Sequence, residues 1–251
     1  MPGRGERYVP LRPIHGARDQ GRARIHGRVL RRDPGIHDQD PACPATLRRS
    51  ARALEDRGEG DRPGLEDRAV VLGAGPIGIL GTILLRLRGL DVHVYAKSSS
   101  DTLQGHILTS LGASYETVAD HPVTGIKEEL GQIDFILEGT GNSEVAFAAM
   151  AQLGINGVLC LTGVSAGNRQ IEIPSDVINL QMVLGNRLAF GSVNANRRYF
   201  EMGVQHFQQA ERQWPGIFER LITRRVPLDD FTAALDRRPE DIKTLLTIAP
   251  A

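Results

Sequence analysis

Apolar and polar positions fall into two textures that meet near Ala69. Downstream, short apolar runs at Ala69–Gly73, Asp91–Tyr95, Ile133–Leu137, Gly157–Leu161 and Leu188–Val193 read as strands. Between and after them, stretches with helical spacing read as helices at Pro76–Arg88, Thr102–Leu111, Ser143–Leu153 and Arg197–Glu211. Shorter pieces at Gly112–Val118 and Val123–Leu130 fill the third strand–helix step. Strands that are apolar throughout, rather than alternating, are buried on both faces, as in a parallel sheet covered by helices. The alternation therefore predicts an α/β fold of the Rossmann type, a doubly wound parallel sheet flanked by helices. Past this unit, Pro215–Ile222 and Phe231–Leu235 read as helices, and Leu221–Pro227 and Lys243–Ile248 as strands.

Upstream the pattern fails. In residues 1–68 the apolar positions, such as Ile14, Val29, Leu30 and Ile36, keep neither period 2 nor period 3.6. The segment holds fifteen arginines, eleven acids and no lysine, with many Pro, Gly and Asp. It reads as a disordered Arg-rich leader, because so little apolar surface cannot offset the entropy of ordering. Acids interrupt the arginines throughout, which argues against a nucleic-acid arm. The same composition is what a GC-rich gene yields out of frame, and reading the upstream DNA in the other frames tests that. The expected organisation is a leader at 1–68, a Rossmann domain at 69–195 and a C-terminal segment at 196–251.

Bulk charge changes little. Lysine plus arginine equals aspartate plus glutamate, 30 each, so no nucleic-acid or anionic-membrane partner is indicated. No apolar run reaches the roughly 18 residues of a membrane span. Two cysteines, Cys43 and Cys160, give no disulfide framework and fit a reducing, cytoplasmic setting. Cys160 falls mid-strand and reads as a small buried apolar residue.

The chemistry sits at the strand ends. Val70-Val71-Leu72-Gly73-Ala74-Gly75-Pro76-Ile77-Gly78 follows a strand and opens a helix, the context that a G-x-G-x-x-G phosphate loop requires. Gly73 permits the tight turn, Gly75 lets a pyrophosphate approach the backbone, and Gly78 allows close helix packing. Pro76 suits the first helical turn, and with Ile77 it belongs to the end whose free N–H groups and dipole hold phosphates. The second strand runs into Ala96-Lys97-Ser98-Ser99-Ser100 with no acid to hold a ribose 2′-hydroxyl. Lys97 and the serines suit a 2′-phosphate instead, which favours NADP over NAD. Competing readings make Ser99 or Ser100 a helix cap, Asp101 with Gln104 a capping box, and Asp101 a late ribose ligand. Later strand ends at Glu138-Gly139-Thr140-Gly141-Asn142, Thr162-Gly163-Val164 and Gly191-Ser192-Val193-Asn194 all carry glycine and complete a cofactor crevice.

On these residues, together with the tail Arg238-Pro-Glu-Asp-Ile-Lys243, the chain from Ala69 onward is similar to the zinc-containing medium-chain alcohol dehydrogenases, in their glucose 1-dehydrogenase branch. The resemblance implies NAD(P)-linked oxidation of an aldose at C1 to the lactone, with zinc polarising the sugar oxygen. It implies pyrophosphate binding by Gly75–Gly78 and ribose contacts from Ala96, Lys97 and Ser98. Thr162, Gly163 and Val164 then line the nicotinamide side, and Thr140 and Gly141 bind the cofactor within the same crevice. Ser192, Val193 and Asn194 lie beside nicotinamide and sugar, with Asn194 bonding a sugar hydroxyl. Arg237 or Arg238 is a weaker phosphate candidate. Dimers and tetramers in the family imply a homo-oligomer.

The zinc ligands that the resemblance implies have no counterpart in this sequence. Cys43 lacks a following His-Glu pair, and His15, His26 and His37 lack a ligand spacing, as do His93, His106, His121 and His206. The expectation is a chain that binds NADPH without oxidising sugar by itself, with apolar surface left exposed at its C-terminal segment. The alternative is a nucleotide-sensing or interaction protein that uses the same fold without catalysis.

Overall fold

The computed structural model describes residues 67–236, 238 and 240–248. The expectations for residues 1–66, and for Cys43, His15, His26 and His37, lie outside the described residues. Six parallel strands form one sheet in the order β3-β2-β1-β4-β5-β6. They are β1 (Arg68–Leu72), β2 (Asp91–Ala96), β3 (Ser114–Thr117), β4 (Phe135–Glu138), β5 (Val158–Leu161) and β6 (Leu188–Gly191). The helices are α1 (Pro76–Leu87), α2 (Leu103–Ser110), α3 (Ile126–Leu130), α4 (Ser143–Gln152), α5 (Ser175–Leu184), α6 (Arg197–Gln213) and α7 (Ile217–Leu221). A separate pair of parallel strands, β7 (Ile222–Pro227) and β8 (Lys243–Thr247), closes the described chain.

Alternate residues of the central strands feed two cores. Ala69 and Val71 of β1 join Ile79, Ile83, Val92 and Val94 on one face, under α1, α2 and α6. Val70 and Leu72 join Tyr95, Ile136, Ala149 and Leu159 on the other, under α3 and α4. Cys160 is buried in the first of these cores, and burial pushes its thiol up to about 11, as for a packing residue.

Differences from the sequence reading have local causes. β6 stops at Gly191, not Val193, because β5 ends opposite it at Leu161; Val193 has no strand to pair with among the described residues and is 80% exposed. β4 starts at Phe135, two residues late. Asp134 is held instead at the edge of β1, its N–H donating to the Arg68 carbonyl at 2.9 Å and its carboxylate accepting from Arg68 N at 3.0 Å. α7 starts at Ile217 rather than Pro215, since Gly216 takes a left-handed φ of 76°. The stretch around Phe231 is 3-10 helix over Leu228–Ala234, with a non-helical residue at Asp230. α5 has no counterpart in the sequence reading: none of its residues is buried, so its apolar positions show no single inward stripe.

Candidate functional site

Strand register puts every candidate loop at one level. Glu116, Tyr95, Leu72, Glu138, Leu161 and Gly191 pair across the sheet in a single row at its carboxyl edge. Sheet order reverses between β1 and β4, and an open α/β sheet takes its ligand in the crevice beyond that switch point. A cleft of about 480 Å³ lies there. Gly73, Gly75, Ala96, Lys97, Ser98 and Thr140 line it, together with Tyr95, Gln104, Val118, Val123, Gly139, Asn142 and Val145.

The three loop glycines do different work. Gly73 sits at φ 105°, a conformation costly for other residues, and its N–H donates to the Tyr95 carbonyl at 2.9 Å. At Gly78 a methyl group would stand 1.8 Å from the Gly73 carbonyl oxygen, so helix and turn touch there. At Gly75, the cap residue of α1, a methyl group would meet no protein atom within 4 Å, and the backbone is ordinary extended chain. Nothing among the described residues demands glycine at Gly75; the open space beside it lies at the positive end of α1, where an anion belongs. Pro76 and Ile77 follow as the exposed first residues of that helix.

The β2–α2 turn carries the second group. Lys97 is exposed and makes no ion pair among the described residues. Thr102, rather than Ser99 or Ser100, caps α2, accepting from Gly105 N at 3.3 Å. Asp101 is therefore not the cap, and the expected Asp101–Gln104 capping box is replaced by a simple Thr102 cap, since Gly105 has no side chain to complete a box. Ser99 instead closes the turn, its hydroxyl accepting from Asp101 N at 3.2 Å. Asp101 does not line the cleft, whereas Gln104 does.

The β4 and β5 ends are tied together by Glu138, which is 1% exposed. Its carboxylate accepts from Thr140 N at 2.6 Å, Thr140 Oγ1 at 2.5 Å and Gly141 N at 3.1 Å. Its backbone carbonyl accepts from Thr162 N at 2.9 Å and Thr162 Oγ1 at 2.7 Å. The Thr162 hydroxyl is thus turned to the sheet. A methyl group on Gly163 would lie 2.2 Å from Gly141 N, so these two loops touch. Val164 is exposed, as are Ser192, Val193 and Asn194; they continue the same edge beyond the cleft without lining it. Arg238 is exposed and outside the cleft, and Arg237 lies outside the described residues.

Beside the cleft, Tyr95 donates to Glu129 Oε2 at 3.3 Å, and burial followed by the Glu129 charge pushes the phenol well up. Glu129 and Glu116 flank His121 at 3.1 and 3.4 Å. The Glu129 hydrogen bond raises the His121 pKa. A raised value in the folded state means this support is complete below the unfolded value of about 6.5 and is lost as pH rises through the folded one. Denaturation midpoints of wild type and His121→Asn should therefore differ more at pH 5.5 than at pH 8.5. An equal gap at both would remove the role of the imidazolium.

Against known proteins, the family described as "Glucose dehydrogenase C-terminus" matches residues 51–248. The chain belongs to that family. The match begins upstream of Ala69, inside the segment read from composition as a leader. Among its relatives, a glucose 1-dehydrogenase of Methanocella arvoryzae is 40% identical over 181 residues, 72% of this chain and 50% of that protein. Glucose 1-dehydrogenase 1 of Caldivirga maquilingensis is 36% identical over 182 residues, with the same coverage. Glucose dehydrogenase of Haloferax mediterranei, solved in complex with NADP, Zn and gluconolactone, superposes with a TM-score of 0.70 at 26% identity. That superposition covers 82% of this chain and 57% of the other. The chain thus spans about half the length of the curated relatives it matches. As to zinc, no cluster of three or more His, Cys, Asp or Glu able to hold a metal occurs among the described residues. No described helix is long and apolar enough to cross a membrane.

Proposed function

We propose that this chain supplies the cofactor platform of a glucose 1-dehydrogenase-type oxidoreductase, which takes an aldose to its lactone and prefers NADP to NAD. The observation that carries the preference is Lys97: an exposed cation with no ion-pair partner among the described residues, at the end of β2, in the same cleft as the open face of Gly75. The NADP in the Haloferax mediterranei complex supports the same choice. Gly73 and Gly75–Gly78 hold the pyrophosphate, and Ala96, Lys97 and Ser98 surround the adenosine ribose and its 2′-phosphate. Thr140, Gly141, Thr162, Gly163 and Val164 border the nicotinamide, with Ser192, Val193 and Asn194 beyond it and Asn194 bonding a sugar hydroxyl.

Bound NADP supplies the hydride acceptor for the sugar C1 carbon. The chain's own part is to bind, orient and desolvate it, since hydride transfer depends on held geometry. The described residues bring together no set of His, Cys, Asp or Glu that fits zinc, and the groups that activate the sugar are assigned outside them. The proposal includes a cytoplasmic homo-oligomer, checked by light scattering of the purified chain.

Titration with NADPH and NADH, followed by reduced-nicotinamide fluorescence, tests the assignment. Lys97→Ala should weaken NADPH by about tenfold, the loss of one charge-assisted contact, and leave NADH nearly unchanged. Equal affinities that ignore the substitution refute the NADP preference.

A further inference from the structure

The turn that carries Lys97 is fastened from below by a residue that does not line the cleft. Tyr115 lies in β3, next to β2 in the sheet, its ring in the core and 8% exposed. Its phenol reaches Ser98 twice: Tyr115 OH is 2.7 Å from Ser98 Oγ and donates to the Ser98 carbonyl at 3.1 Å. Ser98, in turn, lines the cleft.

A phenol has one proton and can serve only one of these acceptors at a time. When it goes to the Ser98 carbonyl, the serine proton is spent on the phenol oxygen, and Ser98 can only accept from a ligand. When it goes to Ser98 Oγ, the serine proton is free to be donated into the cleft. A phosphate dianion needs donors, so it selects the second arrangement, a chain running from Tyr115 through Ser98 to a phosphate oxygen. Each bond in such a chain polarises the next, and the gain is greatest when the last acceptor is charged. A ribose hydroxyl, able to donate or accept, gains little from it.

We infer that Tyr115 is a specificity-positioning residue, which orients the Ser98 hydroxyl as a donor to the 2′-phosphate of a dinucleotide. The inference rests on reading the Lys97–Ser98 turn as the 2′-phosphate site. Tyr115→Phe removes the phenol oxygen and keeps the ring that packs the core. Ser98→Ala removes the hydroxyl end of the chain from the solvent side, leaving the Ser98 carbonyl and the core in place.

Affinities for NADPH and NADH are measured on the full chain and on Tyr115→Phe, Ser98→Ala, the double variant and Lys97→Ala. Tyr115→Phe should weaken NADPH about five- to tenfold and NADH by less than about twofold. The double variant should be no weaker than Ser98→Ala, since both act through one chain. An equal loss for both cofactors, or additive losses in the double variant, overturns the inference and makes Tyr115 a packing residue. If Lys97→Ala lowers the NADPH-to-NADH ratio while Tyr115→Phe does not, the Tyr115 role fails and the NADP site stands. If neither changes the ratio, the site assignment fails as well.

Discussion

Gly78→Ala should unfold or severely loosen this protein, whereas Gly75→Ala, three residues earlier in the same motif, should leave it fully folded. The added methyl at position 78 would stand 1.8 Å from a backbone oxygen and 2.9 Å from its carbon. Relief requires moving either α1 or the Gly73 turn. The turn is fixed by its bond to the Tyr95 carbonyl and by a positive φ. α1 is fixed by Ile79, Thr82 and Ile83, all buried. Overpacking between two backbones that cannot yield costs about 3 kcal/mol or more, a large share of a typical domain's stability. At position 75 the backbone is extended and the methyl meets nothing, so stability should change by no more than about 1 kcal/mol. The same methyl occupies the space in which a pyrophosphate would approach the helix N–H groups. Gly75→Ala should therefore weaken NADPH by roughly tenfold or more, with a shift in the denaturation midpoint worth no more than about 1 kcal/mol. Denaturant melts and NADPH titrations of the two variants separate a glycine needed for folding from one needed for binding. A Gly75→Ala protein that binds NADPH like wild type would sink the pyrophosphate assignment.

The second large effect is expected at Glu138. Glu138→Ala removes the acceptor of two backbone N–H groups and one hydroxyl. Each hydrogen bond to a charged group contributes about 1.5–3 kcal/mol, and donors left buried without a partner add their desolvation cost. A total loss of about 4 kcal/mol follows, partly offset where water enters the exposed Thr140. Glu138→Gln keeps the size and one carbonyl acceptor but loses the charge, so it should cost about 1–2 kcal/mol. NADPH affinity should fall with Gln as well, because the Thr140–Gly141 turn borders the cleft and touches the Gly163 loop. Thermal melts with and without NADPH read both effects. Equal stability of the Ala and Gln variants would show that the carboxylate does not organise these loops.

Glu138 also shows where the sequence stops being informative. In the strand-end string Glu138-Gly139-Thr140-Gly141-Asn142 it is one polar residue among several, and nothing local marks it as buried. Its role depends on β5 lying beside β4 in register, so that Leu161 pairs with Glu138 and the following Thr162 reaches its carbonyl. Tyr115 is similar: in sequence it is an aromatic residue of a short edge strand. Only the β2–β3 pairing brings its phenol to Ser98, seventeen residues away. The capping pattern at Asp101 was misleading for the opposite reason. Several Ser, Thr and Asp residues in a row could each start the helix, and packing of Gly105 against the Ser100 carbonyl selects Thr102.

What the sequence determined by itself was whatever its periodicity and its glycines encode locally. Runs such as Val70-Val71-Leu72 are apolar on both sides, so they must lie inside a covered parallel sheet. A glycine-rich turn between such a strand and a helix has one common use, and the absence of an acid after Tyr95 already favoured NADP. The tertiary structure decided what depends on neighbours distant in the chain. It set the 3-2-1-4-5-6 order and the single level of the loops. It separated Gly75, which faces open space, from Gly78, which is wedged against a carbonyl. It also gave Glu138 and Tyr115 their partners. Local pattern fixes which faces must be buried, but only strand register fixes which polar atoms come within hydrogen-bonding distance, and those atoms shape the site.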